Sequence, residues 1–202
     1  MIKMKSVIVL CGGQSRRMGQ DKGSMNINDK PMIIHVLDSL KGIINEAIIV
    51  LNDEDRIIKY KKFIDEEEYD FKIKFVEDEI KNKGPLSGIE TGLKNISSSY
   101  GLILPCDSPF ISKTHVINLF DEIDDEYDCI IPYHNEENKL KTSEPLHGIY
   151  NENLISEIEE LLEKNTLHVK GLIEKCKCKY IKIDDEKLLN EEFRNLNSQK
   201  DI

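Results

Sequence analysis

Val7-Ile8-Val9-Leu10-Cys11-Gly12-Gly13-Gln14-Ser15-Arg16-Arg17-Met18-Gly19-Gln20-Asp21-Lys22 is the stretch on which the fold turns. Its apolar start predicts a buried strand over 6–11. That strand empties into a loop carrying Gly12, Gly13, Gly19, Arg16, Arg17 and Lys22. Glycines lack the Cβ that would hold backbone N–H groups away from a ligand. The cations place positive charge where those N–H groups point. Such a loop at the carboxyl end of a first strand suits a polyphosphate. The spacing is not that of a Walker A loop, which needs Gly-x4-Gly-Lys-Ser/Thr, and Gly-x-Gly-x-x-Gly is absent. A P-loop ATPase and a nicotinamide dehydrogenase are both disfavoured.

Outward from this loop, strand and helix signals alternate. Pro31 is read as the first residue of a helix reaching about Lys41. Strands are expected over 46–52, 72–76, 101–105 and 128–132, with one more possible over 145–150. Helices are expected over 54–64, from a Ser87–Glu90 capping box to about Ile96, from Ser112 through Phe120, and over 152–164, where Leu154, Ile155, Ile158, Leu161 and Leu162 form an apolar stripe. This alternation predicts a three-layer α/β fold: a mostly parallel twisted sheet with helices on both faces, in one domain spanning 1–202. Ligands bind such sheets beyond the carboxyl ends of the strands. Residues 134–143 are polar and read as a loop.

At 202 residues and 39% hydrophobic content the chain can fill such a core. Its net charge of −10 speaks against nucleic acid as the main partner. A small anion held locally is compatible with an acidic whole. The first residues lack the apolar stretch of a signal peptide, and no run is long enough for a membrane helix. The five cysteines show no metal spacing. Cys176 and Cys178 alternate as in a strand, with both thiols on one face, and read as core positions. A cytoplasmic protein with reduced thiols is expected.

Leu104-Pro105-Cys106-Asp107-Ser108-Pro109 ends a strand with a carboxylate at its tip, stiffened by prolines. Facing phosphates held over 12–22, a bare Asp107 would be repelled by about 4 kcal/mol at 4 Å and an effective dielectric near 20. A divalent cation between them reverses the sign. Mg²⁺ typically uses one or two carboxylates together with substrate phosphate oxygens, so Asp107 is the expected metal ligand. By itself the same aspartate would serve an Asx-turn before a helix. Gly84-Pro85-Leu86-Ser87-Gly88 is either a backbone platform for a nucleotide base or a plain strand-to-helix connection.

Together these stretches resemble the molybdenum cofactor guanylyltransferases, which carry a Gly-Gly-x-Ser-x-Arg-Met-Gly-x-Asp-Lys segment, then Gly-Pro-Leu-x-Gly, then Pro-Cys-Asp-x-Pro, then Asn-x-Asn. Here the last is Asn195-Leu196-Asn197. The motifs stand in family order across essentially the whole chain. The resemblance implies a Rossmann-like nucleotidyltransferase that moves GMP from Mg-GTP to Mo-molybdopterin and releases pyrophosphate. It implies nucleotide contacts by Leu10, Cys11, Gly12, Gly13, Lys22, Asn52, Asp78, Gly84, Pro85, Leu86 and Asp107. Catalytic roles fall to Arg16, Lys22 and Asp107, and Asp107 would hold Mg²⁺. Asn195 and Asn197 are implied near the pterin phosphate or the metal, and His147, the histidine nearest a motif, is a further candidate pterin contact. Cofactor-assembly proteins follow as partners. Cys11 replaces the usual alanine, and Glu144 stands where many relatives have glutamine. His147 is also open to reading as a half-buried strand histidine. His35, His115, His134 and His168 receive no catalytic role. Other readings are a nucleotidyltransferase using CTP with the pterin, one joining a nucleotide to a sugar phosphate, and a non-catalytic GTP-binding partner.

Overall fold

In the computed structural model, residues 4–12, 21–81 and 83–183 are described. The strands are β1 (Ser6–Leu10), β2 (Asn26–Ile27), β3 (Lys30–Pro31), β4 (Glu46–Leu51), β5 (Lys72–Glu77), β6 (Tyr100–Pro105), β7 (Cys129–Tyr133), β8 (Ile149–Asn151) and β9 (Cys178–Lys182). The helices are α1 (Met32–Leu40), α2 (Glu54–Phe63), α3 (Pro85–Leu93), α4 (Lys113–Asp121), α5 (Ile155–Glu163) and α6 (Val169–Ile173). Seven strands form one sheet in the order β5-β4-β1-β6-β8-β7-β9. β8 runs antiparallel to both its neighbours, β6 and β7, and the other pairs are parallel.

Side chains alternate across the pleat, so a buried strand must be apolar on both faces. Val7, Val9, Ile49 and Leu104 pack with α1, α2 and α4 through Val36, Leu37, Tyr60 and Leu119. Ile8, Leu10, Ile48 and Ile103 pack on the other side with α3, α5 and α6 through Ile89, Leu161 and Leu172. These two cores are the three layers. Helix α3 lies close to the sheet because Gly92 faces Ile8, where a Cβ would collide with the isoleucine side chain.

Several local expectations are corrected. Pro31 ends β3 and caps α1, which starts at Met32. Residues 145–150 begin as a 3-10 turn over Pro145–His147, and only Ile149–Asn151 is strand. The expected helix over 152–164 divides into a 3-10 turn and α5. The capping box is not formed. Helix α3 opens three residues earlier, with Pro85 as its first residue and Gly84 as its cap. Ser87 Oγ instead donates to the Asp78 carboxylate and to the Gly84 carbonyl. Glu90 is buried and accepts from Lys94 at 2.7 Å. Ser112 does cap α4, accepting from the His115 N–H at 3.1 Å.

Cys178 is not a plain core cysteine. Strand register sets it opposite Cys129, and the two are joined as a disulfide across β7 and β9. Register thus gives Cys178 a cysteine partner across the sheet that the sequence reading did not expect. The pairing spans a sequence separation of 49 and depends on which strands become neighbours, so local alternation could not reveal it.

Candidate active site

Strands β1 and β6 are hydrogen-bonded neighbours, with Leu10 opposite Pro105. Their next residues, Cys11 and Cys106, therefore leave the sheet side by side. The chain after β1 returns at Asp21 and enters a short 3-10 turn, Lys22–Ser24. The chain after β6 presents Asp107. Both segments line one cavity of about 240 Å³, together with Leu10, Gly12, Pro85 and Leu146. Across it Lys22 Nζ donates to Asp107 Oδ2 at 2.8 Å. The cation and the carboxylate singled out from distant motifs thus face each other directly.

The supporting contacts follow from the loop's composition. Gly12 packs against Asn52, where an added Cβ would stand 2.5 Å from the Asn52 Oδ1. A side chain at 12 would displace Asn52 from the end of β4. Cys11 N donates to the Val50 carbonyl at 2.9 Å, and Cys106 N donates to the Leu10 carbonyl at 3.1 Å, so both strand ends are pinned. The Cys11 thiol is pushed well above its ordinary pKa, first by burial and then by its contact with Cys106. A thiol in that state is a poor nucleophile.

Asp78 lies after β5 and is nearly fully buried. Its carboxylate accepts from Ser87 Oγ at 2.9 Å, the Ile80 N–H at 3.2 Å and Thr91 Oγ1 at 3.3 Å. Burial raises its pKa, and these donors work in the opposite direction. The carboxylate ties the end of β5 to the first turns of α3 and so fixes Gly84-Pro85-Leu86. Gly84 has φ +73°, which suits glycine. Leu86 is fully buried under α3.

His147 is buried rather than half-exposed, and it sits in a 3-10 turn rather than a strand. Its Nε2 lies 3.1 Å from Ser108 Oγ, beside Asp107. It supports the loop that carries Asp107. Arg16, Arg17, Gly13, Gly19, Asn195 and Asn197 lie outside the described residues.

Two supports escaped the sequence reading. Asp21 accepts from the Tyr60 hydroxyl at 2.8 Å, which anchors the residue before Lys22 to α2. Arg56, also on α2, donates to the Cys11 carbonyl at 3.4 Å. Asp21 was visible beside Lys22 in the first motif. Tyr60 and Arg56 carry no local signal.

Among the described residues no group of three or more His, Cys, Asp or Glu is arranged to hold a metal. Asp107 alone suits a hard cation that brings phosphate oxygens and water as its other ligands, the usual habit of Mg²⁺. The donor set therefore fits a metal that arrives with a nucleotide better than one resident in the protein.

The sequence profile of the MobA-like NTP transferase domain matches residues 7–178. A protein of Methanothermobacter thermautotrophicus named "Probable molybdenum cofactor guanylyltransferase" is 35% identical, in an alignment covering 100% of this chain and 99% of that one. The molybdenum cofactor guanylyltransferase of Aliivibrio salmonicida is 28% identical over 99% of this chain and 94% of its own. Molybdopterin-guanine dinucleotide biosynthesis protein A from Archaeoglobus fulgidus superimposes with a TM-score of 0.77 at 25% identity, covering 97% of this chain and 94% of that one. A profile match over most of the chain and a relative aligned end to end make this protein a nucleotidyltransferase of the MobA-like NTP transferase family, on the branch of the molybdenum cofactor guanylyltransferases.

Proposed function

We propose that this enzyme transfers GMP from Mg-GTP to the terminal phosphate of Mo-molybdopterin, forming the guanine dinucleotide cofactor and pyrophosphate. The observation that carries the reading is Lys22 facing Asp107 at 2.8 Å in the cavity beyond β1 and β6. A nucleotide would lie with its phosphates over the Leu10–Gly12 backbone and Lys22. Its base would lie toward Asn52, Asp78 and the Gly84-Pro85-Leu86 loop.

The acceptor phosphate oxygen attacks the α-phosphorus of GTP. A new P–O bond forms, the bond to the bridging oxygen breaks, and pyrophosphate leaves with that electron pair. The attacking oxygen is already anionic, so no general base is needed. Alignment and charge neutralisation then carry the rate. Lys22 meets charge on the phosphates, and Arg16 joins it in this reading. Asp107 would hold Mg²⁺, which when bound supplies further positive charge at the α-phosphate. No covalent enzyme intermediate is required, and Cys106 serves the structure of the strand end.

The same reading gives the protein GTP and Mo-molybdopterin as substrates, cofactor-assembly proteins as partners, and the cytoplasm as its place of work. No helix among the described residues is long and apolar enough to cross a membrane. The test is incubation with Mo-molybdopterin, Mg²⁺ and each nucleoside triphosphate in turn. Pyrophosphate and a guanine dinucleotide are expected with GTP alone, because a site that hydrogen-bonds one base edge rejects other bases strongly. Turnover with CTP in preference to GTP would overturn the assignment.

A further inference from the structure

Cys11 follows β1, and Cys106 follows β6, the strand hydrogen-bonded beside it. With Leu10 opposite Pro105, the two cysteines face each other one residue beyond the strand ends. Both side chains turn to the side of the sheet that packs α1, α2 and α4, and the two thiols are in contact. Neighbouring strands lie about 4.7–4.9 Å apart, inside the roughly 4.4–6.8 Å between Cα atoms that a disulfide spans. Both cysteines also line the cavity that holds Lys22 and Asp107. The proposed transfer gives neither thiol a chemical task. Cys106 belongs to the Pro-Cys-Asp motif, whereas Cys11 replaces the usual alanine, so the dithiol exists here because of Cys11.

The turn that carries Lys22 rests on this pair. Gly23 is the middle residue of that turn. A Cβ at Gly23 would stand 3.2 Å from Cys106 Sγ and would collide with the Tyr60 hydroxyl. The same hydroxyl donates at 2.8 Å to Asp21, the residue before Lys22. Asp107 is the residue after Cys106. The Cys106 sulfur therefore lies against the turn that bears the cation and one residue from the carboxylate.

We propose that Cys11 and Cys106 are an oxidisable dithiol, a modification site for small-molecule disulfides such as oxidised glutathione, whose closure displaces the Lys22 turn and disables the cavity. Cys106 is the more exposed of the two, at 7% against 3%, and meets the reagent first. Its sulfur gives up its proton and attacks one sulfur of the reagent, whose S–S bond breaks. The released half takes up a proton and leaves as a thiol. The Cys11 sulfur then attacks Cys106 Sγ in the mixed disulfide and expels the second half, which leaves as a thiol with the second proton. The protein loses two electrons and two protons, and the reagent gains them. The new bond draws the sulfurs to about 2 Å, so Cys106 Sγ shifts beneath Gly23. The effect on nucleotide rests on the function proposed above; the disulfide itself does not.

The full chain is treated with oxidised glutathione and then with dithiothreitol. Each form is followed by peptide mass mapping, amide hydrogen exchange and GTP calorimetry. In wild type the map should show a Cys11–Cys106 linkage. The Lys22–Ser24 amides should exchange at least about threefold faster. The Kd for GTP should rise about tenfold or more, and dithiothreitol should reverse all three. Cys106→Ala, compared with itself before and after oxidant, should change by less than about twofold in exchange and in Kd. The half-exposed Cys176 is present in both proteins, so the difference between them reports the dithiol. Cys11→Ala should stop at the mixed disulfide on Cys106. Wild type without the linkage would overturn the proposal. So would a linked pair with unaltered exchange at Lys22–Ser24, or one whose GTP affinity matches the reduced protein. A protein that binds no GTP in either state would sink the proposed reaction instead, and the map and the exchange would still decide the dithiol.

Discussion

Lys22 and Asp107 neutralise each other across the cavity beyond β1 and β6, and under the function proposed above Mg-GTP would part them. Both are partly solvated, with side-chain exposures of 26% and 15%. A pair of that kind is worth about 0–1 kcal/mol to stability. Asp107→Asn should therefore abolish pyrophosphate release while the urea midpoint barely moves; a variant keeping most of its turnover at saturating Mg²⁺ would refute the metal-ligand role. Lys22→Gln is expected to act in two directions. It removes a charge-assisted contact worth about 1.5–3 kcal/mol, so GTP binding should weaken by roughly ten- to a hundredfold. It also frees Asp107, so the nucleotide-free protein should bind Mn²⁺ more tightly than wild type in a titration followed by electron paramagnetic resonance. If Mn²⁺ affinity does not change, Lys22 is no competitor for that carboxylate.

Helix α3 shows what one element contributes to the site. Its first turn holds the Gly84-Pro85 loop through Ser87, which is fully buried and donates to Asp78 at 2.9 Å. Ser87→Ala would leave a buried carboxylate short of a donor, at a cost of about 1–3 kcal/mol. The loss should appear in urea denaturation together with a higher Kd for GTP, because the loop loses its anchor. A stability loss with unaltered GTP binding would separate α3 from the nucleotide site. This helix also marks the limit of sequence reading. The alternation of β and α and the ends of β1 and β6 with the residues at their tips were legible, because each is a local pattern of apolar runs and turn residues. The Ser87–Glu90 spacing fitted a cap, yet the buried Asp78 after β5 captured Ser87, and a partner so distant in sequence has no local mark. The hairpin of β2 and β3 did leave one: Asn28 and Asp29 both take positive φ, 48° and 65°, as a two-residue turn demands. That signal went unread. Helix α6 had none.

At the scale of the whole molecule, buried imidazoles tie stability to pH. Burial lowers His147 to about 3 and His115 to about 4, and His115 and His134 add to the effect on His147. An unfolded chain returns each ring to about 6.5. Between those values the unfolded state binds more protons, so stability falls as pH drops below about 6.5 and is fully present above it. For one such histidine the loss at pH 5 is about 2 kcal/mol, at about 1.4 kcal/mol per pH unit. Asp78 and Glu90 oppose this at the acid end, because burial raises both carboxyls and the folded state gains protons there. Urea midpoints from pH 7.5 to pH 5 should thus decline in wild type. In His147→Asn the curve should start lower, having lost the ring packed against Ser108, but fall less steeply by the share of one histidine. Parallel curves for the two proteins would mean that His147 titrates alike folded and unfolded.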